Sequence, residues 1–112
     1  MRNTLSLGKE GETAAVRFLL EKNYELVEKN YRFGHGEIDL IVKKDNILIF
    51  VEVKYRSSSY FGFPETFVNP AKKKKVLETA EAYMERVNWR ADIRFDVVAI
   101  TGAEIEHFED AF

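Results

Sequence analysis

Two strongly β-prone runs set back to back constrain this chain more than anything else in it. Ile38, Leu40 and Val42 alternate along the first, and Ile47-Leu48-Ile49-Phe50-Val51-Glu52-Val53 is dense in β-branched and aromatic residues. Asp45-Asn46 between them supplies the residues of a tight hairpin turn. A two-residue turn sets Lys44 opposite Ile47, and the register that follows sets Asp39 opposite Glu52 and Glu37 opposite Lys54. A four-residue loop keeps that register; an odd-length loop shifts it. Alternation then gives one wholly apolar face, made of Ile38, Leu40, Val42, Ile49, Val51 and Val53. The other face carries Glu37, Asp39, Ile41, Phe50, Glu52 and Lys54, apolar near the turn and charged at its far end.

Directly opposed carboxylates repel and destabilise a strand pair. A strand as apolar as Ile47–Val53 belongs in an interior, where an uncompensated charge is costly. Asp39 and Glu52 therefore require a neutralising partner: the Lys54 ammonium, a divalent cation, or both. An all-oxygen donor set suits hard ions such as Mg2+ or Mn2+. The plainer alternative is a solvated strand face on which Lys54 salt-bridges the two acids. The coincidence of burial with a specific charge partner favours a functional site.

Around the hairpin, residues 6–22 read as a helix with Leu7, Gly11, Ala14, Ala15, Phe18 and Leu19 on one side. Asn23 stops it. A strand is expected within Tyr24–Arg32, followed by a loop at Phe33-Gly34-His35-Gly36. Ser57–Pro64 reads as a loop. Asn69-Pro70 then caps a helix running to about Val87, with Val76, Leu77, Ala80, Met84 and Val87 as its apolar stripe. Ile93–Ile100 is a further strand, and Glu104–Phe108 a short last one. The order α-β-β-β-α-β-(β) predicts an α/β fold in one domain over residues 1–112, a mixed sheet with helices packed on it. With no cysteine there is neither a disulfide framework nor a thiolate metal site. No apolar run reaches the roughly 20 residues of a membrane span, so a cytoplasmic chain without membrane contact is expected.

Glu12 is the only charged residue on the packing arc of the first helix, so it either finds a cationic partner or reaches water from an edge. Lys72-Lys73-Lys74-Lys75 lies in the first turns of the second helix, where cations oppose the positive helix end. The run either contacts phosphates or is solvated. Arg32 and Phe33 beside the glycine loop, and Tyr55, Arg56 and Tyr60 after Lys54, mix basic and aromatic side chains as backbone contact and base stacking require. His35 reads as a turn position, and His107 as packing in or against the last strand.

Asp39 followed by Glu52-Val53-Lys54 resembles the PD-(D/E)xK nuclease signature, with Ile38 standing where that motif has proline. The wider chain resembles the YraN-like family of small bacterial proteins. Gly8-Lys9-Glu10-Gly11-Glu12, Asn30-Tyr31-Arg32, Gly36-Glu37-Ile38-Asp39-Leu40-Ile41 and Phe50-Val51-Glu52-Val53-Lys54-Tyr55-Arg56 carry the likeness. So do Phe61-Gly62-Phe63-Pro64, Arg94-Phe95-Asp96-Val97-Val98, Ile105-Glu106-His107 and the ending Ala111-Phe112. The family is similar to restriction endonucleases and to archaeal Holliday-junction resolvases. The resemblance implies a restriction-endonuclease-like αβββαβ core and metal-dependent hydrolysis of phosphodiester bonds in nucleic acid, with branched or structured DNA as substrate. It implies Asp39 and Glu52 as metal ligands for Mg2+ or Mn2+, Lys54 as the catalytic lysine and Glu12 as the acid of the first helix. Arg32, Arg56 and Lys72 to Lys75 are the expected nucleic-acid contacts, and resolvase-like paired cuts imply a homodimer. The alternative is a non-catalytic nucleic-acid-binding module on the same scaffold.

The formal net charge of −2 argues against such a partner only as a total. Residues 1–90 hold 16 basic and 13 acidic side chains, whereas residues 91–112 hold one basic and six acidic. The acidic surplus lies in the last strands and tail.

Overall fold

The computed structural model describes residues 4–55 and 69–112, with side chains from Gly11 onward in the first stretch. The expected Ser57–Pro64 loop lies outside the described residues. Seven elements follow in order: α1 (Thr4–Glu21), β1 (Glu25–Phe33), β2 (Gly36–Lys44), β3 (Ile47–Tyr55), α2 (Pro70–Val87), β4 (Asp92–Thr101) and β5 (Glu104–Phe108). The α-β-β-β-α-β-(β) order of the sequence reading holds, and its short last strand is β5.

Local chemistry fixes the boundaries. Asn23 and Asn88 take left-handed conformations (φ 70° and 57°) just past the two helices, a geometry asparagine tolerates better than most residues. Asn69 accepts the Lys72 N–H at 2.8 Å and Pro70 occupies the first turn of α2. Asp45 and Asn46 both have positive φ (52° and 62°), the mark of the mirror-image turn whose twist matches a hairpin.

The sheet runs β1-β2-β3-β4-β5. All neighbours are antiparallel except β3 and β4, which are parallel. A parallel pair needs a crossover, and α2 lies within it. Each face of the sheet carries its own core. Ala15, Leu19 and Tyr24 pack on Leu40, Val42, Ile49, Val51, Val98 and Ile100 on the α1 side. Val76, Ala80 and Tyr83 pack on Ile38, Ile41, Leu48 and Phe50 on the α2 side. Aromatic contacts stiffen this second layer, Tyr31 meeting Tyr83 edge-on at 5.0 Å and Phe50 stacking on Phe95 at 5.3 Å.

Two expectations need correction. The buried stripe of α2 is Val76, Thr79, Ala80 and Tyr83, while Leu77 and Val87 are exposed. Thr79 can be buried because its hydroxyl donates to the Lys75 carbonyl at 2.7 Å, which removes its polar cost. Ile38 packs with the α2 cluster, not with Leu40 and Val42. Simple alternation fails between Ile38 and Leu40, where Lys29 pairs with Leu40, Tyr31 with Ile38, and Asn30 between them has φ 52°; the register shift of β1 lies farther off, between Leu26 and Glu28.

Candidate active site

The β2–β3 ladder runs from Lys44–Ile47 to Leu40–Val51 in the register the turn dictates. Beyond Leu40, β2 stays paired to β1 through Tyr31–Ile38 and Arg32–Glu37. Beyond Val51, β3 stays paired to β4 through Lys54–Ala99 and Tyr55–Ile100. Asp39 and Glu52 are therefore not a ladder pair; they stand where the ladder gives out. The Asp39 carboxylate takes over as acceptor there, receiving the Val53 N–H at 2.8 Å.

Glu52 is buried, its side chain 8% exposed. Its Oε1 receives the Lys72 ammonium at 2.5 Å and lies 3.6 Å from Lys54 Nζ. Lys72 comes from the first turn of α2, so the lysine that opposes the helix dipole is compensated by a buried carboxylate. A cleft of about 210 Å³ opens between this turn and the β1–β2 loop. His35, Gly36, Glu37 and Lys75 line it together with Asp39, Glu52 and Lys72. Gly36 is required for this closeness. A Cβ there would run into the Thr79 hydroxyl and lie 2.9 Å from the Lys75 carbonyl.

Glu12 reaches the same region from α1. It is partly buried and accepts a hydrogen bond from Asn30 Nδ2 at 3.2 Å. Buried Gly11 lets the helix sit against Tyr55, whose ring would stand 2.5 Å from a Cβ at that position.

The electrostatics set this cluster apart. Burial pushes the Asp39 carboxyl up to about 7, with further upward pressure from the charges of Glu52, Glu12 and Glu37. The Val53 N–H only partly offsets them. Burial also lowers Lys54, and the Lys72 ammonium beside it lowers it further. Burial works against the Lys72 charge too, but its hydrogen bond and attraction to Glu52 outweigh that and raise it. The charges that act most on Asp39 are those of other carboxylates, while Asp39 in turn favours the charged form of Lys72.

Among the described residues, no group of three or more His, Cys, Asp or Glu side chains forms a ready-made metal cage. Asp39 and Glu52 offer two carboxylates and only oxygen donors. That set fits a hard divalent ion which keeps several waters and completes its shell with phosphate oxygens. It does not fit a structural zinc site.

The other expected contacts are spread more widely. Arg32 is exposed at the rim and lies 3.5 Å from Glu37. Lys73, Lys74 and Lys75 are exposed on α2, and of these Lys75 lines the cleft. Arg56 lies outside the described residues. His35 sits in its turn, as expected, but also faces the cleft. His107 packs edge-on against Phe18 and Tyr24 at 6.3 Å and 5.7 Å.

His107 also belongs to a second charged cluster that sequence reasoning missed. Asp96 is fully buried in β4. It accepts from Arg94 Nε and Nη2 at 2.8 Å each and from the Asp110 N–H at 3.0 Å, with His107 Nε2 at 2.7 Å. Burial alone would raise its pKa, but these hydrogen bonds prevail and hold it below the usual carboxylate range. The signal was present as Arg94-x-Asp96, an ion pair placed on one strand face by period two.

Comparison with known proteins places these residues in a family context. The family described as "Uncharacterised protein family UPF0102" matches residues 11–100. The chain is 54% identical over 98 residues to a UPF0102 protein of Cytophaga hutchinsonii, covering 88% of this chain and 87% of the relative. It is 45% identical over 108 residues to one of Thermodesulfovibrio yellowstonii, covering 96% of each. A relative from Flavobacterium psychrophilum is 46% identical over 110 residues, covering 95% of this chain and 92% of the relative.

Proposed function

The chain belongs to the UPF0102 family, the YraN-like grouping its motifs resemble, and we propose that it is a metal-dependent endonuclease acting on branched or structured DNA. The observation that carries this reading is the fork between β2 and β3. Two carboxylates and two ammoniums meet there beside a cleft, with the Asp39 carboxyl raised to about 7.

Asp39 and Glu52 would hold a Mg2+ or Mn2+ ion through their oxygens. A bound ion would polarise a phosphate oxygen and lower the pKa of a bound water. Lys54, on the same strand two residues from Glu52, orients the attacking water or meets charge developing on the phosphate. Glu12, tied to Asn30, adds negative charge on the α1 side and holds hydrated ligands in place. Lys72, Lys75 and Arg32 contact phosphates along the cleft and its rim, where each contact adds salt-sensitive affinity.

The test is cleavage by the purified chain of single-stranded, duplex, flap and four-way-junction DNA with Mg2+ or Mn2+. Product is expected on at least one structured substrate. Glu52→Ala should reduce its formation at least about a hundredfold while the circular dichroism spectrum is retained. Equal trace activity in wild type and variant would overturn the assignment.

One observation favours a second reading, a nucleic-acid-binding module without catalysis: Lys72 neutralises Glu52 with no ion required. That module would bind DNA in a salt-dependent way and yield no metal-dependent product in the same assay.

A further inference from the structure

Glu52 Oε1 is shared by two ammoniums, Lys72 at 2.5 Å and Lys54 at 3.6 Å. Even a divalent ion that binds through the other oxygen, Oε2, would sit within a few ångströms of both ammoniums. Adding two positive charges beside two ammoniums leaves them repelling across a few ångströms in a partly buried site. The repulsion is relieved by whichever ammonium has somewhere to go. Lys54 does not line the cleft, and its backbone is fixed in β3 by pairing to β4 through Val53–Val98 and Tyr55–Ile100. Lys72 hangs from α2 on a flexible four-carbon stem, its side chain 36% exposed, and it lines the open cleft with Lys75. Its displaced ammonium therefore has a short path into the space where phosphates would lie.

Resting on the nuclease reading above, we propose that Lys72 and the divalent ion compete for Glu52, and that ion binding releases Lys72 onto a substrate phosphate. The lysine acts as a stand-in cation in the empty protein and as a phosphate ligand in the loaded one. The exchange couples the two binding events. An ion that frees Lys72 strengthens DNA binding, and DNA that captures Lys72 strengthens ion binding by the same factor.

The experiment titrates the full chain with Ca2+ by calorimetry, then measures binding of a fluorescein-labelled flap DNA by anisotropy with and without Ca2+. Wild type, Lys72→Met and Lys72→Arg are compared. Without DNA, Lys72→Met should bind Ca2+ about five- to tenfold more tightly than wild type, because no ammonium has to be displaced. Lys72→Arg, which keeps the charge, should return to the weaker wild-type affinity. The gain in DNA affinity on adding Ca2+ should be smaller in Lys72→Met than in wild type. Should the Met variant fail to fold, Lys72→Gln gives the same reading. Equal or weaker Ca2+ binding by the neutral variant would overturn the exchange while leaving the nuclease reading intact. No Ca2+ binding by wild type would overturn both.

Discussion

Two carboxylates of the sheet, one fully buried and one partly buried, are treated in opposite ways. Asp96 is fully enclosed, yet two Arg94 nitrogens, a backbone N–H and the His107 ring meet its two oxygens. Its pKa is held down. Asp39 is less enclosed, but one backbone N–H faces three neighbouring acids, and its pKa rises to about 7. Burial alone therefore does not identify a working carboxylate; the balance of partners does. Asp96 is a completed structural junction between β4, β5 and the tail. Asp39 is left short of positive charge beside an open cleft, the condition in which a group can bind something else.

The sharpest way to break this comparison is to delete the satisfied acid. Asp96→Ala removes the acceptor of two Arg94 nitrogens and of the Asp110 N–H, leaving Arg94 only the Tyr24 hydroxyl and Glu109, and should lower stability by about 3 kcal/mol in urea unfolding at pH 7. A loss below about 1 kcal/mol would mean that Asp96 is no more structural than Asp39.

A smaller effect is expected from Gly36→Ala. Its new methyl meets the Lys75 carbonyl, a backbone atom that cannot swing aside, so the variant should lose about 2 kcal/mol by overpacking. The damage should stay local: NMR shifts should move around Lys75 and Thr79 and leave His107 in place. Shifts centred on His107 would show that the two regions are one unit.

Asp39→Asn separates the two acids by pH. Asp39 has a folded pKa near 7, above the ordinary 3.8, so the folded chain holds an extra proton between those values. Its contribution to stability is present at low pH and declines as pH rises from about 4 to about 7. Asp96 runs the other way, contributing above its unfolded pKa and losing that contribution as pH falls below about 4. In chelator, Asp39→Asn should match wild type near pH 4 and exceed it by about 1–2 kcal/mol at pH 8, as unfolding at a series of pH values would reveal. A pH-independent difference would break the argument.

The least costly change is Gly11→Ala. The methyl meets the edge of the half-exposed Tyr55 ring, which can turn, so less than about 1 kcal/mol should be lost. Whatever shift of the helix the turning ring does not absorb carries Glu12 with it, so cleavage should fall more than stability does.

Much of the fold was legible because local signals agreed with it. Asp45-Asn46 demanded a mirror-image turn, and the turn dictated five ladder pairs. Asn69-Pro70 marked the start of α2 to the residue. Asp39, Glu52 and Lys54 were legible as a group because the register brings them to one end of the hairpin. What escaped was set by tertiary geometry. Ile38 faces α2 while Leu40 and Val42 face α1, next to left-handed Asn30 and the parting of β2 from β3, and no periodicity encodes these features. Lys72 was read as one of four solvated or phosphate-binding lysines. Its contact with Glu52 depends on how α2 docks against Gly36, a meeting of residues far apart in the chain.

The Asp45-Asn46 turn also orders events in time. A hairpin closed by two residues forms within microseconds, whereas α2 and β4 must close a much longer stretch of chain before β3 gains its parallel neighbour. Asp39 and Glu52 thus share one end of the hairpin before Lys72, the closest cation to Glu52, can arrive. Folding should accordingly be faster at mildly acid pH, where one of the two acids carries its proton, than at pH 8, a difference stopped-flow refolding can register.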